Sequence, residues 1–234
     1  MRCGAPSSVT RPEVGLDGVR LWWALCLLLA LPAAALGLQP VALAQAVAQW
    51  PALPQALVLR PELGWHQPAW TWWTSAWLHG STPHLLRNLA ALVLLAALGG
   101  LLRPRAQAAA AWCLAWPLTQ LGMLLEPALS SYVGLSGVLH AGVVALALPA
   151  VLPPLRHPTG AEPSPGLHPK WLAWALLSGV ALKILMENPW QHTLVASSAS
   201  AINVAPWAHL SGAAAGALAT GMLRGVGWCA RPHR

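Results

Sequence analysis

Residues 133–152 read VGLSGVLHAGVVALALPAVL, twenty residues without a charged side chain. A helix of that length rises about 30 Å, which matches the hydrocarbon core of a bilayer. A helix in water keeps one polar face, and past His140 this stretch has none. Its natural solvent is lipid. At its start stands Gly134-Leu135-Ser136-Gly137, a hydroxyl between glycines at a loop-to-helix junction.

Similar apolar blocks lie on both sides. The pattern predicts spans over Leu21 to about Leu38, His84 to Leu102, Ala106 to Leu125, Val133 to Leu152, Trp171 to Met186 and Pro206 to about Leu223. The composition agrees: 56% of the 234 residues are hydrophobic and 8% charged, against about 25% charged in soluble domains. The expected fold is an all-α polytopic membrane bundle of six transmembrane helices. Residues 21–223 form the membrane domain, between an N-terminal tail (1–20) and a C-terminal tail (224–234). Before the first span, Arg2, Arg11 and Arg20 precede an apolar run of about 18 residues, longer than a signal-peptide core. It is read as a retained span, although Ala42-Leu43-Ala44 downstream could serve as a cleavage site.

The long connection 39–83 carries Trp50, Trp65, Trp70, Trp72, Trp73 and Trp77 among several prolines. Indole rings favour the headgroup layer, so this loop is expected to lie in the interface, with Trp70, Trp73 and Trp77 on one helical face. Lys and Arg set the orientation. Ten flank the membrane domain on one side, whereas only Arg60 and Arg87 belong to the other. By the positive-inside rule both termini are cytoplasmic. The net charge of +7 is spread over these loops and forms no patch, so nucleic acid is not an expected partner; the bilayer is. Cys3, Cys26, Cys113 and Cys229 have no metal-ligand spacing, and no metal or cofactor is expected.

In this topology the second, fourth and sixth spans all start on the non-cytoplasmic side. Their first turns hold His84 and Asn88, Ser136, and His209. Polar groups at membrane depth usually face the bundle interior and mark a site. A serine needs an adjacent base, and an imidazole suits that role. Gly212-x-x-x-Gly216 on the sixth span allows close helix approach. If Gly137 and Ala141 face it, Ser136 and His209 meet. A histidine-bound haem or metal is the rival reading, weakened by the lack of a typical ligand pair. A transporter is disfavoured by the absence of an inverted repeat.

Gly134-Leu-Ser136-Gly137, Ala208-His209-x-x-Gly212-x-x-x-Gly216 and His84-x-x-x-Asn88, with His79 upstream, together resemble the signature of rhomboid intramembrane proteases. The resemblance implies that Ser136 is nucleophile and His209 general base, as a dyad without a required carboxylate. It implies that His84, Asn88, Gly134 and the Ser136 N–H form the oxyanion site, and that Gly137, Gly212 and Gly216 support the helix contact. Glu126 and Glu187 are alternative third members, but loop or pairing roles are expected for both, Glu187 with Lys183.

The run Gly134-Leu-Ser-Gly-Val-Leu-His140-Ala is similar to rhombosortases, a bacterial rhomboid branch. His140 stands where most rhomboids carry an aromatic residue, and it is expected to orient His209. Ala141 replaces a frequent glycine, and the first loop lacks the Trp-Arg motif of other branches. The resemblance implies an endopeptidase of the bacterial inner membrane acting on membrane-anchored proteins, including those with Gly-Gly-type C-terminal sorting tails. Its alternative is an inactive rhomboid-like binding protein.

Overall fold

The structure, a computed structural model, describes residues 16–37, 47–153, 170–198 and 202–229. Arg2, Arg11, Arg156, Arg231, Arg234 and the Ala42-Leu43-Ala44 run lie outside them. Helix α1 (Leu16–Gly37) leads to two short helices, α2 (Ala52–Leu57) and α3 (Thr71–Thr74). Long helices follow: α4 (Thr82–Leu102), α5 (Ala106–Gly122), α6 (Ser136–Val151), α7 (Lys170–Glu187) and α8 (Pro206–Cys229). Strands β1 (Val195–Ser197) and β2 (Ile202–Val204) pair antiparallel between α7 and α8.

Every expected span therefore corresponds to a helix, and the protein is mostly helical. Asp17–Gly37, Thr82–Leu102 and Ala106–Leu125 are long and apolar enough to cross a membrane, while Ser136–Val151 is apolar but shorter. Two boundaries differ instructively from the sequence pattern. Helix α1 starts before its apolar run, and Gly18 packs on the backbone of Pro104–Ala106 at the start of α5. Asp17 in its first turn complements the helix dipole. Helix α6 starts three residues after Val133, because Gly134 has φ 131° and cannot be helical.

The core is built of leucines and alanines around buried indoles. Trp22 of α1 meets Trp112 of α5 at 4.6 Å between ring centroids. Trp22 Nε1 donates to the Leu95 carbonyl at 3.1 Å, and Trp112 Nε1 to that of Val138 at 2.8 Å. Trp207 Nε1 donates to Gly122 at 2.8 Å. Where water is scarce, an N–H needs a protein acceptor, and helix carbonyls supply it for these three indoles.

The first loop does not form one aromatic helical face. Helix α3 ends after one turn and a 3₁₀ turn, Ser75–Trp77, follows. Trp70 and Trp73 stay exposed, while Trp77 turns inward onto Trp116. The hairpin of β1 and β2 is a second departure, since that connection reads as a loop. Cys26 and Cys113 are free thiols, the first buried in the core.

Candidate active site

Helices α5, α6 and α8 pack through small side chains. Gly212 lies directly on the backbone of Gly137, and a methyl group on it would collide with the Gly137 carbonyl. A Cβ on Gly137 would stand 2.7 Å from the Ala208 carbonyl, and one on Gly216 would stand 2.6 Å from that of Ala141. Backbones this close fix the relative height of α6 and α8. Ser211 Oγ adds a hydrogen bond to the Thr119 carbonyl of α5 at 2.8 Å.

That height brings the first residue of α6 level with the first turn of α8. Ser136 Oγ and His209 Nε2 are 3.0 Å apart. His209 is buried, at 2% exposure, while Ser136 keeps part of its surface. The other ring nitrogen, Nδ1, donates to Glu187 Oε2 at the end of α7. Lys183 Nζ donates to the second oxygen, Oε1, at 2.6 Å. The sequence favours a pairing role with Lys183 for Glu187 and keeps a third catalytic member as the alternative; the fold gives each carboxylate oxygen its own partner, Lys183 on one and His209 on the other.

His140 lies under His209, with ring centroids 4.3 Å apart and planes at 22°. Its Nδ1 donates to the Ser136 carbonyl at 2.7 Å. A carbonyl only accepts, so the His140 proton sits on Nδ1. A carboxylate likewise draws the His209 proton to Nδ1 and leaves Nε2 as an acceptor facing the serine hydroxyl.

His84 and Asn88 share the inner face of the first turns of α4, and both are buried. Among the described residues His84 Nδ1 and Asn88 Nδ2 have no hydrogen-bond partner. The His84 ring lies against Gly134, where a Cβ would stand 2.8 Å from His84 Cε1. Gly134 is thus required twice, by its backbone angle and by this ring. Its N–H donates to the Ser75 carbonyl at 3.1 Å, and Tyr132 N–H donates to Leu59 at 2.8 Å. These bonds tie the segment before Ser136 to the first loop. His79 packs edge-on to His84. Burial, with His84 beside it, lowers His79 to about 3, so it is uncharged near neutral pH.

Tyr132 has no counterpart in the sequence reading. Its hydroxyl donates to the Gly134 carbonyl at 3.3 Å and faces Ser136. Burial pushes its phenol up to about 12. A lone tyrosine in a loop has no periodicity to betray it. Glu126, the other acidic alternative, accepts from Thr193 Oγ1 at 3.2 Å, away from the histidine. Among the described residues no three His, Cys, Asp or Glu side chains converge to hold a metal ion.

The helical bundle thus brings a serine hydroxyl, an imidazole and a carboxylate into one chain of contacts. The Rhomboid domain profile matches residues 66–225, and the protein belongs to the rhomboid family. It is a membrane protein of a family of intramembrane serine proteases that act on membrane proteins within the bilayer. No curated protein and no solved structure matches the chain significantly.

Proposed function

We propose that the protein is an active serine endopeptidase of six spans, with both termini cytoplasmic. Ser136 is its nucleophile and His209 its general base. The observation that carries this reading is the 3.0 Å contact between Ser136 Oγ and His209 Nε2. As Oγ attacks the scissile carbonyl carbon, its proton passes to Nε2 and the carbonyl π pair moves onto oxygen. The imidazolium then gives that proton to the leaving amine as the C–N bond breaks. Water repeats the sequence on the acyl-enzyme.

The developing oxyanion needs donors fixed in advance. The unpartnered His84 Nδ1 and Asn88 Nδ2 are available for it, as is the Ser136 N–H at the α6 N-terminus, where the helix dipole favours negative charge. Gly134 keeps the approach to this spot free of a side chain. His140 holds the plane of His209 by stacking. Substrates are membrane-anchored segments that unwind near the cut, because a helical backbone hides its carbonyl.

The narrower assignment is to the rhombosortase-like branch of the bacterial inner membrane, acting on Gly-Gly-type C-terminal sorting tails. It is supported by His140 after Gly134-Leu-Ser136-Gly137. Wild type and Ser136→Ala, each co-expressed with a protein bearing such a tail, test it. Cleavage by wild type only is expected, with at least a ~10³-fold loss in the variant. Equal processing by both would end the protease reading.

A further inference from the structure

Glu187 stands in a position that helix physics disfavours. It is the last residue of α7, where the helix dipole presents its negative end to a carboxylate. The chain is firmly stopped there. Asn188 has φ 50° and its N–H caps the Ile184 carbonyl, and Pro189 cannot continue the helix. The carboxylate is therefore held at a fixed height, and Lys183 one turn back covers only one oxygen. The second oxygen faces the Nδ1–H of His209. A merely structural ion pair with Lys183 would leave that oxygen to solvent.

We infer that Glu187 is a positioning residue for His209, making a Ser136–His209–Glu187 relay in which Lys183 fixes the carboxylate. The inference rests on the reading of Ser136 as nucleophile and deepens it. With Nδ1–H bound to Glu187, the imidazole holds the tautomer whose Nε2 lone pair faces Ser136 Oγ. When the serine proton arrives on Nε2, both ring nitrogens carry hydrogen and the added positive charge meets the Glu187 anion. Among the described residues no other group does this. His140 offers His209 a ring face, His84 of α4 and His140 of α6 carry no negative charge, and Lys183 is a cation. Among the described residues, His84, His140 and Glu187 are the titratable groups that interact with His209, and Lys183 reaches it through Glu187.

The test is the rate of fluorophosphonate labelling of the full chain in detergent, across pH, for wild type, Ser136→Ala, Glu187→Gln and Glu187→Asp. Wild type labels and S136A does not. E187Q is expected to label about 10²- to 10⁴-fold more slowly, as when a triad carboxylate becomes an amide. The acid limb of its profile moves to lower pH, since loss of the anion disfavours the imidazolium. E187D, which keeps the charge, lies between the two. A purely structural role would lower the rate without moving the limb. E187Q labelling at the wild-type rate with an unmoved limb overturns the inference.

If E187Q does not fold, the imidazole ¹⁵N shifts of wild-type His209 decide. Hydrogen on Nδ1 with a bare Nε2 upholds the relay, and the opposite tautomer overturns it. Wild type failing to label while a control rhomboid reacts, or S136A labelling equally, removes the proposed function itself and is thereby distinguished.

Discussion

Helices α7 and α8 meet at one contact, α7 through Glu187 and α8 through His209, yet they are held in opposite ways. Helix α8 presses a glycine and alanine face onto α6 and α5, with Ala208, Ala215 and Ala219 buried. Helix α7 buries only Ala173 and Ile184 and exposes Trp171, Trp174, Leu182, Leu185 and Met186. In water such a helix would detach or aggregate; in lipid its apolar surface is already solvated. The serine–imidazole contact thus rests on rigid backbone packing. The carboxylate is presented by a loosely embraced helix.

That contrast can be broken at its strongest point. Gly212→Leu drives a side chain into the Gly137 backbone, and overpacking of this kind costs about 1–3 kcal/mol or more. It is expected to lower Tm in detergent and remove most fluorophosphonate labelling, because α6 and α8 lose their shared height. The matching change on α7, Gly179→Ala, meets no atom within 4 Å. Helix propensity favours Ala there, so stability should hold or rise by about 0.4–1 kcal/mol, with labelling unchanged. Equal damage from both would erase the distinction.

A smaller effect sharpens it. His140→Ala removes the ring under His209, and aromatic stacking is worth about 0.5–1.5 kcal/mol. A fall in labelling rate of roughly 2- to 13-fold follows, with recovery in His140→Phe, which restores a ring. Full activity in H140A would deny the orienting role.

The last effect concerns pH. The unfolded chain protonates His79 near its ordinary 6.5, the folded one only near 3. Between those values the unfolded state binds more protons, so His79's contribution to stability is intact above 6.5 and lost progressively as pH falls towards 3. Melting in detergent should show a shallower acid decline in His79→Asn than in wild type. Parallel curves would count against it.

The helices and the approach of α6 to α8 are readable in the sequence, because long uncharged runs and four-residue glycine spacing are local patterns. The Glu187 contact is not. Its i, i+4 spacing from Lys183 already satisfies the eye, and only the fold shows that the second oxygen is spoken for. The β1–β2 hairpin escapes for another reason: three residues per strand are too few for alternation to register. Tyr132 and the bonds from Leu59 and Ser75 are tertiary facts, linking segments far apart in sequence.

Those last bonds divide the first loop into a part wired to the nucleophile and a part that is not. Leu59 and Ser75 clamp the strand-like stretch before Ser136, whereas Gly64, at φ 53°, has open space around it and Trp65 beside it is 70% exposed. An epitope or fluorophore spliced in at this tip would hang clear of the reacting atoms. Deleting Leu59 or Ser75 would instead tug directly on the backbone that delivers the hydroxyl.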